Sequence, residues 1–237
     1  GTGTLILSAA NSFTGQVTLN AGNLEYGIDD ALSTNAVTIN NGIFNIKAFN
    51  ETNLGTLILA AGTIDGTSGV LSSTAAYDVR SGTISAILGG SVGLTKTTTG
   101  TLVITSLNTY TGVTTVNAGT LSVSTLANGG VSSNIGASTS DAANLVLGNS
   151  GTLLYTGGAV SIDRLFSYTN GTTGCTINNS GTGAITFTNT GSLGTAGTGT
   201  RILILRGSND INLASIIVNQ STNATTLTKI GQSTVTL

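Results

Sequence analysis

The sequence predicts an all-β solenoid of parallel strands with about 20 residues per coil, and three observations carry that prediction. Glycines recur at a fixed spacing, apolar residues fall in the same columns on either side of them, and no stretch shows helical periodicity. Gly22, Gly42, Gly62 and Gly82 are each 20 residues apart, and Gly100 and Gly119 follow at spacings of 18 and 19. A period of this length marks stacked repeat units, each too small to bury its own apolar face. Nowhere do apolar residues recur at i, i+3, i+4 beyond a turn, and Thr, Gly, Asn and Ser, poor helix formers, fill most of the polar positions.

The first four coils are alike in text. Val17 to Leu24, Val37 to Phe44, Leu57 to Ile64 and Tyr77 to Ile84 each place a short strand on either side of a central glycine. Three residues before the glycine stand Leu19, Ile39, Leu59, Val79 and Val116, and two residues after it stand Leu24, Phe44, Ile64, Ile84 and Leu121. The apolar period is two on each side, as in a strand with one buried face. The two sets are separated by an odd number of residues, so a straight strand would point them to opposite faces and the chain must bend near the glycine. Glycine suits that place because it alone reaches positive φ at little cost. An antiparallel meander turning at Asn41-Gly42 and Asn128-Gly129 is the alternative. The column agreement favours parallel coils stacked at about 4.8 Å. Asn20 and Asn40, two residues before their glycines, are placed to begin a side-chain amide ladder at the corner.

Further along the period is interrupted. Residues 124–143, rich in Ser, Asn and Gly, read as a loop or an insertion on the outside of a coil before the next bend at Gly151, and a second polar stretch runs from Asn189 to Thr200. Ile202 to Leu205 and Ile211 to Val218 are apolar enough for buried strands. No composition change marks a boundary, so residues 1–237 read as one continuous solenoid.

Composition narrows the function. Of 237 residues 34 are Gly, none is Pro, His, Trp or Met, one is Cys, and 7% are charged, against about 25% in an average globular protein. Histidine-based acid–base chemistry has no residue to carry it, and zinc or haem ligation lacks its usual donors. Seven Lys and Arg against nine Asp and Glu give a net charge of -2, so no basic patch is expected for nucleic acid or an anionic membrane surface. No apolar run approaches the roughly 18 residues of a membrane span. The 39% apolar content with so little charge argues for folding rather than disorder. Cys175 reads as a small buried side chain. The absence of Met suggests a piece of a longer chain.

A longer repeat overlies the coil period. Residues 3–22, beginning Gly3-Thr4-Leu5 and running through Asn11-Ser12-Phe13-Thr14-Gly15 to Asn20-Ala21-Gly22, align without a gap with residues 100–119, which contain Gly100-Thr101-Leu102, Asn108-Thr109-Tyr110-Thr111-Gly112 and Asn117-Ala118-Gly119. Leu94-Thr95-Lys96 returns as Leu227-Thr228-Lys229, with Thr234 to Leu237 standing where Thr101 to Ile104 stood, so the end of the chain enters a third copy. The motif resembles the autotransporter-associated β-strand repeat of type V secreted passenger domains. Ser161 to Arg164 and the Gly- and Thr-rich region after it also look like the spacers of very long members. The resemblance implies a right-handed parallel β-helix at the outer-membrane surface of a Gram-negative-type bacterium, in a repeat tied to export and folding rather than catalysis.

Candidate chemistry is sparse. Glycoside cleavage needs two carboxylates about 5 to 9.5 Å apart, and Glu25 and Asp65, each three residues after its bend glycine, lie two rungs apart with Asn45 between. They read as part of a solvated polar stripe. Asp29-Asp30, Asp78 and Asp210 have no repeated acidic partner for a Ca²⁺ loop, and Asp163-Arg164 reads as a local surface or corner pair. Thr-x-Thr pairs such as Thr97/Thr99, Thr186/Thr188 and Thr234/Thr236 occupy no common column, which an ice-binding array would require. The sequons at Asn50 and Asn170 are expected by chance in so Asn- and Thr-rich a chain. The reading is a non-enzymatic extracellular stalk or fibre segment with no catalytic, cofactor or metal residue. Its expected partners are the continuation of its own chain or copies stacked end to end. An adhesin face binding cell-surface glycans, with 124–143 as its loop, is one alternative, and a carbohydrate-active β-helix enzyme is another.

Overall fold

The computed structural model describes residues 1–237. Its strands form one curled 18-stranded sheet, a three-stranded sheet and a four-stranded sheet, and the strand ladders are parallel throughout. Antiparallel contact is confined to the isolated bridges Asn108–Ser133 and Gln220–Asn223. A meander is thereby excluded, and the chain is a parallel β-helix.

Each coil has three sides. The first begins with Val17–Leu19, Val37–Ile39, Leu57–Leu59, Tyr77–Val79 and Leu94–Lys96. The second runs through Thr4–Leu7, Asn23–Tyr26, Ile43–Asn45, Thr63–Asp65, Gly82–Ile84 and Thr101–Ile104 to Cys175–Asn179, Arg201–Gly207 and Thr225–Gly231. Two long strands, Thr114–Val123 and Leu145–Tyr155, round the corner and serve both sides. The second side thus has eleven rungs, which at about 4.8 Å per step is about 48 Å long. The third side is broken into Glu51–Leu54, Val70–Ser73 and Ile87–Gly89 below, and Val160–Ile162, Ile185–Phe187, Ile211–Leu213 and Val235–Thr236 above.

The corner glycines do two jobs. Gly22, Gly42, Gly62, Gly82 and Gly119 have φ between 72 and 114°, a region costly for residues with a Cβ. Each also lies over the corner glycine below, close enough that a Cβ would stand under 3.0 Å from that glycine's carbonyl oxygen. That oxygen accepts the next strand's first amide: Ile43 N from Gly22 O at 2.9 Å, Thr63 N from Gly42 O at 2.9 Å and Thr83 N from Gly62 O at 3.0 Å. The Asn40 amide donates to Asn20 Oδ1 at 2.7 Å alongside.

The expected vertical files exist, with corrections. Leu19, Ile39, Leu59 and Val79 stack in register, and the file continues through Lys96 before it reaches Val116. Leu24, Phe44, Ile64 and Ile84 stack likewise, but the file continues through Ile104 and Val123, whereas Leu121 lies over Leu102 and Leu102 over Gly82. The corner between Lys96 and Leu102 holds more residues than the one between Val79 and Gly82, which shifts every later position on the second side. Gly151 lies at the rounded corner directly over Gly119, inside the long strand and without the positive φ of the other corner glycines. Within the stretch from Asn189 to Thr200, Leu193 is buried and Gly194–Ala196 forms a rung. Leu227-Thr228-Lys229 joins the second side rather than the first, because it extends the seven-residue ladder of Arg201–Gly207. The third copy is therefore displaced by one side of the coil.

The interior is one cluster of 43 buried apolar residues. Each fully buried Leu, Ile or Phe contributes about 1.5 to 3 kcal/mol of transfer free energy. Aromatic rings pair between coils: Tyr26 with Phe44 at 5.4 Å, Tyr77 with Tyr110 at 6.2 Å and Phe166 with Phe187 at 5.5 Å. Cys175 is buried, its thiol pushed up to about 12 by desolvation.

Candidate functional site

The carboxylates that sequence spacing brought together do share a column, since Glu25 pairs with Asn45 and Asn45 with Asp65. Both are already engaged. Glu25 Oε2 lies 2.6 Å from Lys47 Nζ, and Asp65 Oδ1 accepts the Ser85 hydroxyl at 2.5 Å and the Gly66 amide at 3.0 Å. The column stands on an open sheet face, whereas acid–base catalysis by a carboxyl pair depends on one member being desolvated so that it stays protonated. None of the three surface depressions is lined by a carboxylate: they lie against Leu5, Val17 and Leu24, against Asn178, Arg206 and Ile230, and against Leu213 and Leu237. Asp78 pairs with Arg80 at 2.9 Å. Asp29 and Asp30 accept the Asn50 and Thr52 amides at 2.7 Å each, joining neighbouring coils. Thr186 stacks on Asn212 and Asn212 on Thr236, so the Thr-x-Thr pairs form no array.

The most organised non-repetitive feature is residues 124–143, and Asp163-Arg164 organises it. Arg164 is 1% exposed, not a surface residue, because the segment supplies oxygens to its guanidinium. Its Nε donates to Ala127 O at 2.9 Å, its Nη1 to Ser138 Oγ at 3.0 Å, and its Nη2 to Gly136 O at 3.0 Å, with Asn128 O and Val131 O each at 3.4 Å. Burial lowers the Arg164 pKa, and these oxygens replace the lost water. Asp163 Oδ1 accepts the Gly129 amide at 2.7 Å, and Asn128 Oδ1 accepts the Asp163 amide at 3.0 Å. Within the segment, Asn134 Oδ1 accepts the Ser124 and Thr125 amides at 2.8 and 2.7 Å, and the Asn134 amide ties it to the coil by donating to Ser106 O at 2.7 Å. Leu126 and Ile135 are buried, while Val131 is 53% exposed.

Three other charges are interior. Glu51 is fully buried and accepts the Tyr26 hydroxyl at 2.7 Å, the Leu32 amide at 3.3 Å and the Asn53 amide at 3.4 Å. Desolvation raises its pKa against the pull of those donors. Lys96, in the first-side file, donates to Thr98 O and to Ala118 O, the latter at 3.2 Å, and burial lowers its pKa. Arg201 donates to Gly199 O at 2.8 Å, to Ala196 O at 3.0 Å, and to Gly197 O and Gln220 Oε1. The sequence carried no signal for these roles, since most partners are backbone oxygens or amides that any residue supplies, and the side-chain partners Tyr26 and Gln220 lie 25 and 19 positions away.

All five tyrosines and three of the five phenylalanines are buried, Phe49 is half-buried, and Phe13 is 48% exposed. The surface therefore offers a sugar ring little aromatic area. What the arrangement provides chemically is a clamped loop on a rigid coil.

The passenger-associated-transport-repeat family model matches residues 1–25 and 94–123, the two stretches that contain the long repeat. The chain is also similar to the Adhesin BmaC autotransporter of Brucella suis biovar 1 (strain 1330), 36% identical over 239 residues. That match takes in 97% of this chain and spans 7% of the length of the relative. No solved structure matches.

Proposed function

We propose that this chain, an autotransporter passenger repeat protein, serves as a non-enzymatic stalk of a bacterial cell-surface passenger. It sets distance and stiffness and carries no ligand site of its own. The carrying observation is the single cluster of 43 buried residues running through the stacked coils, under faces whose carboxylates are engaged with neighbouring side chains or amides. Parallel ladders along the long axis resist stretching together, and the small number of exposed aromatic and charged side chains gives proteases few places to cut. Strand edges at Thr4–Leu7 and Thr225–Gly231 each have one free side, and further coils of the parent chain, or copies of it, are the partners that fit them. With a net charge of -2, neither nucleic acid nor an anionic membrane is a partner.

One observation favours a second reading, in which the segment takes part in adhesion. Residues 124–143 are held by Arg164 while leaving Val131 exposed, and the relative is itself named an adhesin. A glycan array and a host-cell binding assay on the purified chain separate the two. The stalk reading expects signal at background, and binding that disappears in Val131→Asp would replace it with the adhesive one.

A further inference from the structure

The chain contains three Asn-Gly steps, at Asn41-Gly42, Asn128-Gly129 and Asn170-Gly171. Asn-Gly is the dipeptide most prone to spontaneous cyclisation, because no side chain shields the glycine nitrogen that attacks the asparagine carboxamide. In a folded protein the reaction depends on whether that nitrogen is free and whether the carboxamide lies against it.

The three steps differ on both counts. The Gly129 amide donates to Asp163 Oδ1 at 2.7 Å, while Asn128 Oδ1 is held by the Asp163 amide at 3.0 Å, so nucleophile and electrophile are tied to the same neighbour. The Gly171 amide donates to Thr200 O at 2.9 Å and would have to leave that bond to react. The Gly42 amide takes no backbone acceptor; it donates to the side chain of its own predecessor, Asn41 Oδ1, at 2.8 Å. This contact polarises the carboxamide carbonyl and keeps it over the nitrogen that must attack. Asn41 is exposed to water, and Gly42 sits at a corner with φ of 97°.

We infer that Asn41-Gly42 is a self-modification site, at which the folded coil converts asparagine to aspartate and isoaspartate with solvent water as the only co-reactant. The Gly42 nitrogen bonds to Asn41 Cγ, the Cγ–Nδ2 bond breaks, and ammonia leaves with the proton given up by the backbone nitrogen. Water then opens the five-membered imide at either carbonyl. One opening yields aspartate; the other routes the main chain through the side-chain carbonyl and adds a methylene to the corner. Either product places a negative charge next to the Asn20–Asn40 ladder. The isoaspartate also lengthens a corner whose glycine lies between those of the coils above and below.

The test is peptide mapping by mass spectrometry after incubating the folded chain at mildly alkaline pH, following the gain of about 1 Da at each step. Conversion at Asn41 is expected to run at least ~10-fold ahead of Asn128 and Asn170, equivalent to about 1.4 kcal/mol of difference in barrier. Unfolding in guanidinium should bring the three to similar rates. Asn41→Gln, which keeps the amide but disfavours the ring, should abolish the signal at that peptide alone. Equal rates at all three steps in the folded chain, or faster conversion at Asn128 or Asn170, would overturn the inference. So would an Asn41 that stays intact while the unfolded chain converts fully.

Discussion

Gly62→Ala tests the corner geometry on which the whole coil depends. Gly62 has φ of 91°, and a Cβ there would stand well under 3.0 Å from Gly42 O, the acceptor of the Thr63 amide at 2.9 Å. Holding an alanine at positive φ costs about 1 to 2 kcal/mol. Displacing the carbonyl weakens a ladder bond worth about 1 kcal/mol, and the forced shift of the rung adds about 1 to 3 kcal/mol, as overpacking does. Against this, replacing glycine restricts the unfolded chain and returns about 0.4 to 1 kcal/mol. The net loss is about 4 kcal/mol. Two controls separate the contributions. Gly130 has φ of 79° with nothing within 4 Å of its added Cβ, so Gly130→Ala should lose only about 1 kcal/mol. Gly158 has open space and no positive φ, so Gly158→Ala should be neutral or slightly stabilising. Urea unfolding followed by far-ultraviolet circular dichroism gives all three. If Gly62→Ala unfolds within about 0.5 kcal/mol of Gly158→Ala, the stacked-corner argument is wrong.

Arg164→Met keeps the buried stem and removes the donors to Ala127, Ser138 and Gly136. Local stability of residues 124–143 should fall by about 2 to 4 kcal/mol, read as roughly hundredfold faster amide exchange in that segment alone, and unchanged exchange would refute the clamp. Glu51→Gln tests the buried carboxylate by its pH dependence. Burial raises the folded pKa above its ordinary 4.5, so the native state binds the proton more tightly than the unfolded one. Wild-type stability should therefore decline as pH rises from about 4.5 through the folded pKa. The glutamine variant should lack that slope; parallel pH profiles for the two chains would remove Glu51 from the account.

The repeat was legible because stacking converts vertical contact into a constant interval along the chain. Leu19, Ile39 and Leu59, or Leu24, Phe44 and Ile64, can be found by counting. Counting fails where a corner changes length, which is why Ile104 and not Leu121 continues the second-side file, and why Leu227 to Lys229 lies one side away from Leu94 to Lys96. It fails again for Glu51, Lys96, Arg164 and Arg201. A charged side chain reads as surface unless its acceptors are known, and here Lys96 and Arg164 reach carbonyls 22 and 37 positions away. The loop at 124–143 was visible as an irregularity, but its clamp was not, since Arg164 reaches it from 26 to 37 positions further along.

Those four interior ions have a mechanical meaning. A screw whose threads are all the same can be advanced by one turn without resistance, and a ribbon wound from near-identical units carries the same hazard as it forms. Glu51 needs the hydroxyl of Tyr26, Lys96 the carbonyl of Ala118, Arg164 the oxygens of residues 127–138, and Arg201 the amide oxygen of Gln220. A skipped turn would take at least one of these partners from each ion and leave a buried charge short of a bond, so the winding is numbered from within.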